Sequence, residues 1–183
     1  MHDDFPPGLT SLGAKANPLP PVESWNPPHC GDIDIRIARD GTWFHQGAPI
    51  IRKELVRLFS NILRKDPDGF HLVTPVEKMR IAVDDAPFVA VLAEAEGEGR
   101  AQRLVFTTNV GDETVAGPGN PIRVETHPVT DEPSPYVHVR RGLEAKLARS
   151  VFYQLVELAV PSEDGKTLGV WSCGAFFALG RPA

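Results

Sequence analysis

One short stretch of the sequence concentrates side chains that could bind an anion. From Thr74 to Arg80 the chain carries a hydroxyl, a proline, a carboxylate and two cations. Lys78 and Arg80 stand two positions apart, so on a strand they share one face. An arginine can hold a phosphate or carboxylate through two parallel hydrogen bonds, and a lysine can hold it as a point charge. An ion pair between domains that uses Glu77 would explain the same residues, and both interpretations stay open.

Residues that could complete such a site lie elsewhere in the chain. Asn109 offers both a donor and an acceptor, which suits a base edge or a sugar, and Arg140 follows a strand pattern. Trp43 could offer a stacking face, although core packing is the competing role for a tryptophan. We therefore predict an anion-accepting pocket for a nucleotide-like ligand. Its predicted lining is Trp43, Thr74, Glu77, Lys78, Arg80, Asn109 and Arg140.

The sequence offers little support for catalysis or for a bound metal. Ser172-Cys173-Gly174 lacks the flanking pattern of a nucleophile elbow, and a cysteine in an apolar run is expected to be inert. His45 and His138 lack both a third ligand and the helical spacing of paired metal ligands. The loop glycines precede no helix start, so no phosphate-binding loop is predicted. We expect neither a cofactor nor a metal, and the sequence favours the absence of enzymatic activity without deciding it.

Composition argues against nucleic-acid and membrane partners. The 183 residues are 42% apolar and 23% charged, with a net charge of −5, and no segment concentrates Lys and Arg. A protein that binds a phosphate backbone usually carries such a basic stripe. No apolar run approaches the length of a membrane span, and the acidic, Pro-rich start does not resemble a signal peptide. Two cysteines fit a reducing compartment, so a cytoplasmic location is predicted.

The elements that must position these residues follow two periodicities. Ile33, Ile35 and Ile37 alternate with polar residues, which is typical of a half-buried strand. Apolar residues three and four positions apart predict a helix over about 51–63 and a second over about 143–159. Further strands are predicted at residues 70–74, 79–84, 87–92, 101–107 and 122–126. The sequence therefore predicts an α+β fold.

The two halves of the chain match when one is shifted by 93 residues. Trp43 then meets Tyr136, and Phe59 meets Phe152 on the two helices. This shared pattern favours an internal duplication that gives two related strand–helix units, with Phe59 and Phe152 as equivalent buried anchors. The predicted domains are a Pro-rich arm, a first unit and a second unit, at residues 1–29, 30–95 and 96–183.

Several segments carry a family resemblance. They lie at residues 33–37, 41–45, 72–78, 80–81, 85–88, 108–109 with Asp112, 142–145 and 152–153. Together they resemble a bacterial family known as domain of unknown function 1285, most specifically in Thr74-Pro75-Val76-Glu77-Lys78. The resemblance covers nearly everything from about residue 25 onward. Where the family often has His-Pro, this chain has Asn120-Pro121.

The resemblance implies an architecture and a general role. It implies two domains from an internal duplication, the C-terminal half being loosely similar to pleckstrin-homology-like folds. It also implies a ligand pocket at the domain interface, a role in signalling with a signalling protein as partner, and no established catalytic activity. A likeness of fold does not establish function, so these remain expectations.

The sequence supports three functional hypotheses of different classes. The first is a small-ligand-binding protein that acts in signalling, with a nucleotide-like ligand at the interdomain cleft. The alternative is a protein-interaction module without a small ligand. The third, a hydrolase of a phosphorylated metabolite, is the weakest because no nucleophile, base or metal set is visible in the sequence.

Overall fold

The computed structural model describes residues 19–181, which form two compact units that divide after Asp85. This division lies earlier than the predicted boundary between residues 95 and 96. The reason is strand β7 (Phe88–Glu96), which hydrogen-bonds only to strands of the second unit. Most of the predicted Pro-rich arm lies outside the described residues. In its described part, a short 3-10 helix at Val22–Ser24 buries Val22 against the first unit.

The first unit is one six-stranded sheet with one helix. Its elements are β1 (His29–Ile37), β2 (Trp43–His45), β3 (Ala48–Pro49), α1 (Lys53–Asn61), β4 (Leu63–Asp66), β5 (Gly69–Val73) and β6 (Lys78–Val83). The strand order is β3-β2-β1-β6-β5-β4. The central pair, β1 with β6, is parallel, and the other pairs are antiparallel. Two antiparallel three-stranded meanders are therefore joined through the first and last strands.

Helix α1 is shorter than the predicted 51–63. Ile51 is 85% exposed and precedes the helix, so it does not belong to the apolar face. At the other end Leu63 pairs with Leu72 in the sheet, which ends the helix at Asn61. The apolar face is kept by Phe59, which is fully buried.

The second unit contains a six-stranded sheet, a helix and a three-stranded sheet. After β7 come β8 (Arg103–Thr108), β9 (Glu113–Val115), β10 (Ile122–Thr126), β11 (Pro133–Arg140), β12 (Leu143–Leu147), α2 (Arg149–Glu157), β13 (Val160–Pro161), β14 (Leu168–Ser172) and β15 (Ala175–Gly180). The larger sheet has the order β10-β11-β12-β7-β8-β9, with β12 and β7 parallel. The smaller sheet is the antiparallel set β13-β14-β15.

The predicted helix over 143–159 is wrong in its first part. Leu143, Ala145 and Leu147 are buried at every second position, which is the periodicity of a strand, and they form β12. Helix α2 begins only at Arg149 and buries Val151 and Leu155. Phe152 is half-buried, so the predicted equivalence of Phe152 with the fully buried Phe59 is also wrong.

The two six-stranded sheets have the same strand order, which is consistent with an internal duplication. In each sheet the first strand of the unit lies parallel beside the sixth. This correspondence matches β2 with β8. The 93-residue shift of the sequence places β2 on β11 instead, so that shift does not align equivalent strands of the two sheets. The helix follows the third strand in one unit and the sixth in the other. The protein is mostly β, so it is α+β only roughly.

Three hairpin turns place a non-glycine residue in the left-handed conformation. The pairs Gln46-Gly47, Arg141-Gly142 and Cys173-Gly174 have positive φ at both positions. Such turns match the right-handed twist of the strands that they connect. Cys173 is consequently exposed on a turn, which corrects its predicted place inside an apolar run. In the described part of the chain, no helix has the length and apolar character needed to cross a membrane.

Candidate functional site

Thr74 and Glu77 form the turn between β5 and β6. The backbone N–H of Thr74 donates to the carbonyl of Glu77 at 2.8 Å, and the Thr74 hydroxyl accepts from the N–H of Glu77 at 3.0 Å. Pro75 supplies the fixed φ that suits such a turn. Thr74 is 2% exposed. Its hydroxyl therefore shapes the turn and is not presented at the surface.

Two predicted site residues keep a buried polar atom that makes no hydrogen bond to any described residue. They are Trp43, at Nε1, and Glu77, at Oε2. Trp43 is 1% exposed and its ring centroid lies 6.3 Å from that of Phe59. This is a core position, which corrects the prediction that Trp43 offers a stacking face. Burying a polar atom without a partner costs stability.

Lys78 belongs to an ion network that the sequence did not reveal. Its Nζ lies 2.7 Å from Oδ2 of Asp66, and Arg64 binds the same carboxylate through Nε at 2.7 Å and Nη2 at 2.9 Å. Asp66 is only 15% exposed. Hydrogen bonds from Arg64 lower the pKa of Asp66 from its ordinary 3.8 to about 2. Partial burial opposes this shift of the pKa, and Lys78 adds to it. The carboxylate thus already holds two cations.

Arg64 also fastens the N-terminal segment to the sheet. Its Nη1 donates to the carbonyl oxygens of Val22 at 2.8 Å and Trp25 at 2.7 Å. The guanidinium therefore joins the 3-10 turn of this segment to Asp66 on β4. This described part of the segment therefore lies against the first unit around Val22 and Trp25.

His71 lies beside the same network, on the neighbouring strand. It is fully buried, with Nδ1 3.5 Å from Oδ2 of Asp66 and Nε2 3.5 Å from Oδ2 of Asp68. The three side chains could supply metal ligands, since their ligand atoms lie within 4.8 Å of one another. Arg64 and Lys78 already occupy Asp66, however, and their charges oppose a divalent cation. The donor set therefore fits an ion network better than a metal centre.

Arg80 forms a more exposed ion pair on β6. Its Nε lies 3.0 Å from Oδ1 of Asp32, and the two side chains are 45% and 67% exposed. Pairs of this kind contribute about 0–1 kcal/mol, because water competes for both partners. Of the two predicted cations, Arg80 is thus the one that can exchange its partner at low cost.

Asn109 and Arg140 lie in the second unit, where both have structural contacts. Asn109 accepts from the N–H of Val89 at 2.9 Å and donates its own N–H to the Val89 carbonyl at 2.8 Å. These bonds continue the pairing of β7 with β8 one residue beyond Ala90 and Thr108. Arg140 is paired with Asp112, and its guanidinium carbon lies 5.0 Å from the ring centroid of Phe88. The predicted lining residues are therefore distributed over both units.

Asn120, which stands where the resembling family often has histidine, supports β11. Its amide nitrogen lies 3.0 Å from Nδ1 of His138 and donates to the carbonyls of His138 and Val139. On the other side of the ring, Nε2 accepts from the N–H of Gly142 at 3.0 Å. His138 thus links Asn120 to the β11–β12 turn, which is a structural role.

A groove of about 640 Å³ lies within the second unit, and none of the predicted site residues lines it. It is bounded by β10 and β15, the outer strands of the two sheets, together with the segment before β11. Its lining consists of Val124, Thr126, Asp131, Pro133, Thr167, Ala178, Leu179, Gly180 and Arg181. No motif marks these residues, because the groove is made by strands that are distant in sequence.

The ion network predicts a specific loss of stability in acid. The folded-state pKa of Asp66 lies below 3.8, so its contribution is present above about pH 4 and is lost as the pH falls towards 2. The shift from 3.8 to about 2 corresponds to about 2 kcal/mol of unfolding free energy. Urea unfolding of the wild type and of Asp66→Asn between pH 7 and pH 2 measures it. The variant should lack this component, and identical pH dependence in both proteins would contradict the assignment.

The fold and these sites define a class of duplicated, mostly β proteins with two domains and an ion network in the first. The chain belongs to the DUF1285 family. Its residues 20–86 match the model described as "Domain of unknown function (DUF1285), N-terminal domain". Residues 87–179 match "Protein of unknown function (DUF1285), C-terminal domain". The family resemblance seen in the sequence is thereby confirmed, and the boundary between the models agrees with the division of the structure.

Two solved structures resemble this chain. A DUF1285 family protein from Silicibacter pomeroyi DSS-3 is 56% identical, with a TM-score of 0.88, over 94% of this chain and 92% of that one. A DUF1285 family protein from Shewanella baltica OS155 is 28% identical, with a TM-score of 0.52, over 67% of this chain and 90% of that one. The search of curated proteins gave no match.

Proposed function

We propose that the protein binds a small ligand and that the groove of the second unit is a binding site. The groove carries this proposal because its volume of about 640 Å³ lies in the range typical of ligand pockets. Its lining joins apolar side chains to a few polar groups, which is the usual composition of such sites. A role in signalling is the expectation that the family resemblance adds.

The test is a fragment screen that is monitored by nuclear magnetic resonance, with the methyl signals of Val124 and Leu179 as reporters. Ala178 is exposed and lines the groove, so Ala178→Trp should fill it and abolish the ligand-induced shifts. Val91→Trp is the matched control, because Val91 is 49% exposed on β7 and does not line the groove. If no fragment moves the reporters, or if both variants behave alike, the proposal fails.

A nucleotide-like anion on Arg80 and Lys78 is a second candidate. The observation that favours it is the exposed Arg80–Asp32 pair, which a phosphate could replace at low cost. Under this candidate, adenosine monophosphate should raise the melting temperature of the wild type through linkage but not that of Arg80→Gln. Arg36→Gln is the control, because Arg36 forms a similar exposed pair with Asp84 at 3.2 Å. Equal responses of the two variants would remove this candidate.

The alternative, a protein-interaction module, is favoured by the outer face of α2. There Tyr153 is 58% and Val156 is 47% exposed. Exposed apolar side chains that lie together on one face are a common feature of interaction sites. Sedimentation velocity over a range of concentrations tests self-association. Association that Tyr153→Ser and Val156→Ser abolish would support this alternative, and a concentration-independent monomer would remove self-association as its basis.

A further inference from the structure

The groove of the second unit carries two charges of opposite sign that do not pair with each other. Asp131 and Arg181 both line it. Within residues 19–181, neither side chain takes part in an ion pair or a side-chain hydrogen bond. Both residues are exposed, so each charge is accessible to a ligand that enters the groove.

The loop that presents Asp131 is organised by His127. The His127 Nδ1 accepts from the N–H of Val129 at 3.3 Å and from that of Thr130 at 3.2 Å. The N–H of Asp131 donates to the His127 carbonyl at 3.0 Å, and Asp131 itself has a positive φ of 54°. These bonds fix the backbone around Asp131. A ligand that binds this carboxylate therefore meets a loop that needs little ordering.

Besides the two charges, the groove offers hydrocarbon and hydroxyl groups. The apolar part comes from Val124, Pro133, Ala178 and Leu179, and Leu179 is 6% exposed. Thr126 and Thr167 add hydroxyls. A ligand matched to this lining has an apolar body and one charge of each sign.

We propose that the groove binds small zwitterions with a hydrocarbon body, namely aliphatic amino acids. This inference rests on the proposed function, since it names the ligand class of the same groove. The ligand carboxylate pairs with the guanidinium of Arg181, and its ammonium group pairs with the carboxylate of Asp131. The lining disfavours a nucleotide here, because a polyphosphate would meet one cation and the opposing charge of Asp131.

The experiment is calorimetric titration of the full chain with four probes. Leucine and 6-aminohexanoate carry both charges at different separations, whereas hexanoate lacks the ammonium and hexylamine lacks the carboxylate. The better of the two zwitterions should bind at least about fivefold more tightly than either singly charged probe, as an ion pair near 1 kcal/mol implies. Asp131→Asn should remove the advantage over hexanoate, and Arg181→Gln should remove the advantage over hexylamine.

The outcomes separate this inference from the proposed function. If hexanoate or hexylamine binds as tightly as both zwitterions and still shifts Val124 and Leu179, the site stands and the ligand class is wrong. If no probe binds and the fragment screen is also negative, the proposed function itself fails. If a zwitterion preference survives in both variants, Asp131 and Arg181 do not supply it and the inference is overturned.

Discussion

Replacing Phe59 with alanine should lower the free energy of unfolding by about 3–5 kcal/mol, as for other fully buried phenylalanines. Phe59 has no exposed surface and packs beside Trp43 in the core of the first unit. Removing the ring therefore loses burial and leaves a cavity. Urea unfolding followed by tryptophan fluorescence measures the loss, because Trp43 reports on the same core.

The matched control is Phe152→Ala on α2. Phe152 is half-buried, while Val151 and Leu155 hold the buried face of that helix. The cost should therefore be clearly smaller, about 1–2 kcal/mol, because less apolar surface is withdrawn from water. Equal losses of unfolding free energy in the two variants would contradict the half-buried position of Phe152 and support the predicted equivalence of the two phenylalanines.

A second large loss should follow from adding a single methyl group at Gly169. A Cβ at this position of β14 would lie 2.3 Å from the carbonyl oxygen of Phe177 and 2.6 Å from Cζ of Phe176. Backbone cannot move as easily as a flexible side chain, so Gly169→Ala should cost about 3 kcal/mol, the upper end of the usual overpacking range. Thermal and urea unfolding both measure it.

Gly180→Ala provides the control for this prediction. Gly180 lies on β15 opposite Leu168, in the same hairpin, and a Cβ there would meet nothing within 4 Å. Its φ is not in the left-handed region, so alanine should be tolerated within about 0.5 kcal/mol, as at ordinary surface positions. A Gly169→Ala protein as stable as Gly180→Ala would mean that β14 and β15 are not as close as described.

The strands could be predicted because their signals are local. Ile35 and Ile37 alternate with polar neighbours and are buried, and the predicted 122–126 strand is β10. The helix predicted at 143–159 failed at its start for a related reason. Leucine and alanine at residues 143–147 satisfy a helical spacing as well as an alternating one, and only pairing with β7 and β11 decides between them.

The candidate site was harder to predict from the sequence, because its ion pairs depend on strand register. Arg64 lies opposite His71, and His71 opposite Arg80, across β4, β5 and β6. No sequence spacing states these pairings, so Lys78 and Arg80 were recognised without their partners Asp66 and Asp32. The one available signal is Asp66 itself, a charged residue that directly precedes the turn pattern Pro67-Asp68-Gly69.

The parallel pairing of β1 with β6 has a consequence for how the first unit is made. Ile37 pairs with Val83, and the two lie more than forty residues apart in the chain. The middle of the sheet therefore cannot form until the ribosome has released β6, whereas the meander of β1, β2 and β3 can form earlier. Until then β1 keeps an open inner edge that other chains could join. A nascent chain arrested before Lys78 would lack the centre of its sheet, and closing so long a loop should be the slow step in folding.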